Sequence, residues 1–149
     1  MQLCFRKLNP DNEEDIRQFN ELMDDLSQRA EDQKVLKQKI EEINGQKNSW
    51  LMVAEDVERR KLCGSVIGVL FGDFCGSCQP VMVVENVVVH HQEQRKGIGR
   101  LMLQEIERWG KEHNASYVIL CSGLNRTGAH EFYRSMGYGE VKGFKKYLK

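Results

Sequence analysis

One stretch of the sequence, residues 81–103, constrains what this chain can fold into more than any other. A valine-rich run, Val81–Val89, is followed by two histidines and by Gly97-Ile98-Gly99, after which apolar residues recur at helical spacing. The pattern predicts a buried strand, a tight glycine-containing turn and a helix. Because the first backbone N–H groups of a helix lie at its positive end, the turn is a candidate site for a phosphate-bearing ligand.

Around this stretch the hydrophobic periodicity predicts a mixture of helices and strands. A short strand at 3–8 and two amphipathic helices come first, and on these helices we expect Val35, Leu36 and Ile40 to be buried. Later elements are a hairpin (50–55 and 62–74), the strand and helix of residues 81–103 with Leu101 facing inward, a strand at 117–121, a helix at 127–136, and one or two strands within 138–149. This order predicts one α/β (α+β) domain over residues 1–149, with helices on both faces of a mixed sheet.

The composition excludes several classes of protein. Lys and Arg number 22 and Asp and Glu also number 22, so no positive excess favours nucleic acid or a membrane surface as partner. No apolar run approaches the roughly 20 residues that span a bilayer, and the N-terminus turns acidic too soon for a secretory signal. Five irregularly spaced cysteines favour free thiols in the cytoplasm, and Cys75 and Cys78 lack the second pair that a zinc site needs, so no metal is expected.

Two sequence motifs are more specific than the turn alone. Residues 94–99 lack the Gly-Lys-Ser/Thr ending of a nucleotide-triphosphate loop, and Met102 stands where a dinucleotide fingerprint has its third glycine. Gln94, Gly97 and Gly99 instead match Gln/Arg-x-x-Gly-x-Gly/Ala, and Ala129–Tyr138 matches Ala-x-x-Phe-Tyr-x-x-x-Gly-Phe/Tyr. With these two segments in this order of elements, the chain resembles the GNAT superfamily of acetyl-CoA-dependent N-acetyltransferases.

The resemblance implies a fold and a cosubstrate. It implies a mostly antiparallel sheet of six to seven strands with about four helices, splayed between the fourth and fifth strands, where acetyl-CoA binds. The donor's pantetheine arm would pair with the strand edge at Val87, Val88 and Val89. Its pyrophosphate would lie on the turn formed by Gln94, Arg95, Lys96, Gly97, Ile98, Gly99 and Arg100. The family's usual Asn is replaced by Arg126, with Asn125 one residue earlier, so either residue is a candidate for the contact made there.

Amide formation from a thioester needs a base and a group that assists the leaving thiolate. Glu85 is the candidate general base, Asn86 beside it is the candidate to orient water or substrate, and a backbone N–H near Val87 or Val88 is the candidate oxyanion donor. Tyr133 is the candidate acid for the thiolate. Glu85 as an ordinary sheet carboxylate and Tyr133 as a core tyrosine are the structural alternatives.

The expected reaction is acetyl transfer from acetyl-CoA to a primary amine of a small molecule, by direct attack in a ternary complex. Asp24 and Asp25 lie in the region that shapes the acceptor pocket of family members, although a solvated acidic loop is the simpler interpretation. Family members often pair, so a homodimer is consistent with the resemblance. Three alternatives stay open: a non-catalytic acyl-CoA-binding or sensing module, transfer of another acyl group or to another acceptor atom, and an unrelated nucleotide-binding domain.

Overall fold

The computed structural model describes all residues, Met1–Lys149, and divides into two compact units, Met1–Ile119 and Leu120–Lys149. The elements of the first unit are β1 (Leu3–Lys7), α1 (Glu13–Ser27), α2 (Gln33–Asn44), β2 (Ser49–Asp56), β3 (Lys61–Phe71), β4 (Val81–Val89), a 3-10 turn (His91–Glu93), α3 (Ile98–Glu112) and β5 (Val118–Ile119). The second unit contains α4 (Thr127–Ser135). No helix combines the length and the apolar character needed to cross a membrane.

The five strands form one sheet in the order β1-β2-β3-β4-β5. Neighbouring strands from β1 to β4 are antiparallel, and β5 lies parallel to β4. The mixed, mostly antiparallel α/β architecture with four helices is therefore confirmed. The sheet has five strands, however, and not six to seven.

The missing strands are those expected within residues 138–149, where the prediction was wrong. Apolar residues occur there at Val141, Phe144 and Tyr147, three residues apart, whereas a half-buried strand needs alternation every two residues. All residues from Val141 onward are exposed. The ammonium groups of Lys142 and Lys145 lie 5.6 Å and 4.7 Å from the ring centroids of Phe144 and Tyr147, which gives these aromatic rings a local partner.

The sheet of the first unit is covered on both faces. On one face, residues of α1 and α2 such as Phe19 and Ile40 form a core cluster with Val53 and Ile67 of the sheet. On the other face α3 lies close to β3, because a Cβ built on Gly64 would come within 2.5 Å of the Met102 Sδ atom. A glycine at this position therefore permits the close approach of helix and sheet.

The first two helices have side-chain caps, and the buried faces of α2 and α3 are narrower than expected. The Asn12 side chain accepts hydrogen bonds at the start of α1, and the Asp32 side chain does so at the start of α2. Val35 of α2 is 54% exposed and Leu101 of α3 is 45% exposed, so both predictions of burial were wrong. Val35 and Leu101 each come one residue before a buried residue, Leu36 and Met102 respectively. Because successive residues of a helix are rotated by about 100° around its axis, Val35 and Leu101 point away from the buried side.

In the second unit a turn leads into α4. The Arg126 N–H donates to the Gly123 carbonyl at 3.0 Å, and Arg126 is the N-cap residue of the helix without a side-chain cap. The helix ends at Ser135, and Gly137, which follows the C-cap residue Met136, has φ +92°, the left-handed conformation common after a helix C-terminus.

Candidate functional site

Strand β4 contains an irregularity at its centre. Glu85 pairs with Ile67 of β3 and Val88 pairs with Ser65, so two residues of β4, Asn86 and Val87, oppose only one residue of β3. Asn86 adopts a left-handed φ of +52°. This is a β-bulge, the feature that a splayed strand requires.

The bulge changes which side chains share a face of the sheet. Without it, Val88 would lie on the same face as Met82, which packs against α3 near Gly110. Val88 belongs instead to the core cluster on the α1 and α2 face. Glu85 also lies on that face, because its cross-strand partner Ile67 is part of the same cluster. Glu85 and Asn86 are both exposed, so the bulge presents a carboxylate and an amide to solvent beside the N-terminal helices.

Val88 and Val89, the two valines that follow the bulge, direct their backbone groups to opposite sides of β4. The His90 N–H donates to the Cys63 carbonyl of β3, so by alternation the backbone groups of Val89 point away from β3 and those of Val88 point toward it. The Val88 carbonyl accordingly lies 2.8 Å from a Cβ built on Gly64 of β3. Val89 therefore offers its backbone to the open side of β4, whereas Val88 faces β3.

The other side of β4 is largely without a strand partner. β5 pairs with it only through Met82↔Val118 and Val83↔Ile119, so residues 84–89 have no paired strand on this side within the first unit. One backbone acceptor there is already engaged, because Gln94 Nε2 donates to the Val89 carbonyl at 3.3 Å. Gln94 thus connects the turn to the strand edge.

The turn after β4 ends at an uncapped helix N-terminus. Gly97 is the N-cap residue of α3 with φ +81°, and this residue makes no side-chain cap hydrogen bond. Ile98, 1% exposed, anchors the helix start in the core, while Gly99 follows it in the first turn. Arg95 (φ +63°) is exposed beside it, as are Lys96 and Arg100 at the two ends of the glycine segment. Helix N–H groups and cations at one place form a suitable anion site.

A buried carboxylate below the turn was missed by the sequence analysis. Glu93 is 1% exposed, and its two oxygens accept from Arg59 at 2.9 Å and from Lys96 at 2.8 Å. Lys61 Nζ lies 3.3 Å from the same carboxylate. Hydrogen bonds from Arg59 and Lys96 hold the pKa of Glu93 well below its ordinary value. No periodicity marks Glu93 as buried, because its neighbours are polar and two of its three cationic partners, Arg59 and Lys61, are distant in sequence.

Asp25 connects the end of α1 to the segment after β4. Its carboxylate accepts from the His91 backbone N–H at 3.0 Å and lies 3.0 Å from His91 Nδ1. Burial acts to raise the pKa of Asp25, but the hydrogen bonds from His91 outweigh it, and the pKa lies below its ordinary value. Asp24, the neighbouring acceptor-site candidate, is exposed.

The side chains of Asp25, His90 and His91 each have an atom that could bind a metal ion, and these atoms lie within 4.8 Å of one another. The three side chains nevertheless have protein partners, since Asp25 binds His91 and His90 Nδ1 accepts from the Gln92 N–H at 3.2 Å. The two imidazole rings are stacked with an interplanar angle of 26°, so their in-plane lone pairs do not converge. A hydrogen-bonded cluster therefore describes these residues better than a set of metal ligands.

The remaining predicted site residues belong to the second unit. Tyr133 is half-buried on α4, and its ring centroid lies 5.4 Å from that of Phe132 and 5.9 Å from that of Tyr138. Asn125 is exposed in the turn before the helix, and Arg126 is the N-cap residue. The first unit thus brings Glu85–Val89 and Gln94–Arg100 together along β4 and its turn, while Asn125, Arg126 and Tyr133 lie in the second unit.

Comparison with known proteins identifies the family. The family model described as "Acetyltransferase (GNAT) family" matches residues 13–138. The curated relative "Uncharacterized N-acetyltransferase YhdJ" of Bacillus subtilis (strain 168) is 29% identical over 98 residues, which cover 62% of this chain. The aligned part spans 64% of that relative, less than two thirds of its length.

Solved structures share the fold at low sequence identity. A putative acetyltransferase from Agrobacterium tumefaciens str. C58 has a TM-score of 0.86 at 19% identity, with 98% of this chain and 99% of that chain covered. Glucosamine-6-phosphate N-acetyltransferase from Arabidopsis thaliana has a TM-score of 0.86 at 21% identity, with both chains fully covered. The family match includes the bulged strand, the turn and α4, and the chain therefore belongs to the GNAT family of acetyltransferases.

Proposed function

We propose that this protein transfers an acetyl group from acetyl-CoA to a primary amine of a small molecule, by direct attack in a ternary complex. The observation that carries the proposal is the sequence of features along one strand: a bulge at Asn86, a strand edge at Val89, and an uncapped helix N-terminus at Gly97. Extended backbone groups suit the amides of pantetheine, and the helix N-terminus suits a diphosphate.

We assign the donor-binding roles to the residues that surround this edge. Backbone groups of Val87 and Val89 would pair with the pantetheine arm, and the N–H groups of residues 95–100 would hold the diphosphate. Gln94 would act by holding the turn against Val89, since its amide already donates to that carbonyl. The family match across residues 13–138 supports the further proposal that both units serve one GNAT-like domain.

The chemical step assigns one role to each candidate. Glu85, through a water molecule, takes a proton from the ammonium group, and the neutral nitrogen attacks the thioester carbonyl carbon. The oxyanion accepts a hydrogen bond from the Val87 N–H, which is better suited than Val88 because the Val88 backbone faces β3. The oxyanion then re-forms the carbonyl as the carbon–sulfur bond breaks, and the electron pair leaves with the coenzyme A sulfur. The nitrogen, which became positively charged on attack, releases its second proton to solvent and becomes the neutral amide.

Tyr133 is assigned to the departing thiolate. A phenol has a pKa of about 10 and a thiol about 8.5, so complete proton transfer is uphill by roughly 2 kcal/mol. A hydrogen bond from the phenol to the developing thiolate is therefore sufficient for the role. The amine acceptor would approach from the α1 and α2 face, where Glu85 lies, and Asp24 offers it a carboxylate that His91 does not occupy.

A thiol-release assay with acetyl-CoA and a panel of amines tests this function. The panel contains amino sugars and their phosphates, aminoglycosides, polyamines and amino acids. Amino sugar phosphates are included because the Arabidopsis thaliana structure is named as a glucosamine-6-phosphate N-acetyltransferase. We expect amine-dependent release of coenzyme A thiol with at least one class. Binding of coenzyme A without thiol release for any amine would favour the sensing module instead.

A further inference from the structure

Glu93, the last residue of the 3-10 turn after β4, is buried among cationic side chains. Its carboxylate is 1% exposed and meets cations from three segments: Arg59 from the turn after β2, Lys61 from the start of β3, and Lys96 from the glycine turn itself. Asp56, also 1% exposed, shares Arg59. Three cations and two carboxylates leave a local excess of one positive charge.

Stability alone is a weak reason for such an arrangement. Burying a carboxylate costs solvation free energy, and replacing buried ion pairs by apolar residues is often neutral or stabilising. The arrangement does, however, fix one particular group. Lys96 is half-exposed, with one bond to Glu93 Oε2, and an ammonium group has three donors, so its other donors stay available to an anion.

Glu93 also prevents the cations from repelling one another. Without its negative charge, only Asp56 would offset the three positive charges of Arg59, Lys61 and Lys96, and the half-exposed Lys96 side chain would move toward solvent. The Lys96 ammonium would then have to be ordered when an anion binds, at a cost in side-chain entropy.

We propose that Glu93 is a positioning residue: it holds Lys96 so that the turn at residues 94–97 is prepared to receive the diphosphate of the acyl donor. The inference rests on the proposed function, because it names the part of the donor that this carboxylate serves. Glu93 itself, being buried and negatively charged, does not contact the diphosphate.

The test compares a donor that contains the diphosphate with one that does not. Acetyl-CoA carries the diphosphate and the 3′-phosphoadenosine attached to it, and S-acetylpantetheine lacks both, while the two donors carry the same thioester. In Glu93→Gln we expect kcat/KM for acetyl-CoA to fall at least about tenfold, mostly through KM, and kcat/KM for S-acetylpantetheine to stay within about twofold of wild type. An equal fall with both donors, or no fall with either, would overturn the proposal.

A double-mutant cycle tests whether Glu93 acts through Lys96. Lys96→Met should weaken acetyl-CoA use, and Glu93→Gln added to Lys96→Met should cause little further loss. Additive losses would contradict the proposal. The matched control is Glu112→Gln, which removes the same charge from an ion pair with Arg108 at the exposed end of α3, and it should leave both donors unaffected.

Calorimetry of coenzyme A binding separates this inference from the proposed function. If the wild-type protein binds coenzyme A but acetylates no amine, the proposed reaction is wrong. Glu93→Gln should still raise the Kd for coenzyme A at least about tenfold. Equal Kd values for folded wild-type and variant protein would overturn the role of Glu93. If wild type does not bind coenzyme A at all, both proposals fall together.

Discussion

At the scale of single residues, the bulge of β4 places Glu85 and Val88 on the same face of the sheet. A regular strand would continue its alternation, and Val88 would lie on the α3 face with Met82. The left-handed Asn86 interrupts that alternation, so that Val88 packs on the α1 and α2 face while the Glu85 carboxylate stays exposed on it. The candidate base is thus on the face where the two N-terminal helices lie.

Glu85→Gln should remove most of the catalytic rate without unfolding the protein. A glutamine keeps the shape of the side chain but accepts no proton, so we expect kcat to fall by about 10²-fold and the rise of rate toward alkaline pH to disappear. The measurement is a pH–rate profile of thiol release for wild type and variant. An unchanged profile would assign the base to another group, and Glu112→Gln serves as the charge-matched control.

Tyr133→Phe should affect the chemical step more than donor binding. The change removes only the hydroxyl from a ring that packs beside Phe132 and Tyr138, so the packing of α4 should persist. We expect kcat to fall at least about tenfold, with the Kd for coenzyme A changed less than twofold. Steady-state kinetics and calorimetry measure the two quantities, and wild-type rates in the variant would end the proposed acid role.

At the scale of elements, the strand, turn and helix of residues 81–103 were predictable because each has a local signal. The valine run indicates a buried strand, and glycines at 97 and 99 indicate a turn that a helix follows. The strands expected in 138–149 do not form, because the apolar residues of this segment lack the two-residue alternation that a half-buried strand needs. Glu93 was missed because two of its partners, Arg59 and Lys61, come from a segment that only the fold brings next to it.

Gly97→Ala should weaken both the fold and donor binding. No atom lies within 4 Å of a Cβ built at Gly97, so the cost comes from its φ of +81° and not from a clash. We expect the free energy of unfolding to fall by roughly 1–2 kcal/mol, and the Kd for coenzyme A to rise. Gly72→Ala is the matched control, since its Cβ also meets open space without a left-handed φ, and it should change stability by less than about 0.5 kcal/mol. Urea denaturation gives the free energies of unfolding of the two variants. Equal losses of stability in Gly97→Ala and Gly72→Ala would contradict the explanation by the φ of Gly97.

At the scale of the whole molecule, the family and the fold class could be read from the sequence, whereas the identity of the acceptor could not. Two motifs at 94–99 and 129–138 are specific to a family, and the family determines most of the topology. The residues proposed to recognise the acceptor, such as Asp24, lie on the surface and carry no periodic or motif signal. For the same reason the pairing of Asp25 with His91 was not predicted from the sequence.

Acid should destabilise the protein partly through Glu93. Because its folded-state pKa is depressed, the unfolded state binds more protons as the pH falls below the ordinary glutamate value of about 4.3. The stabilisation by Glu93 is therefore complete at neutral pH and is lost toward lower pH. We expect the free energy of unfolding of Glu93→Gln to fall less steeply than that of wild type between about pH 5 and pH 3. Denaturation curves across this range measure both slopes, and parallel slopes would show that Glu93 is not held as a stabilised anion.

The most direct test of acetyl transfer is to measure both products of a single reaction. Protein, acetyl-CoA and the best amine of the panel are incubated together, and free coenzyme A thiol and acetylated amine are quantified in the same samples. The proposed reaction predicts that the two products accumulate in equal amounts and that neither forms rapidly without the protein. Thiol released without acetylated amine, or coenzyme A bound with neither product formed, would contradict the assignment of this chain as an N-acetyltransferase of small-molecule amines.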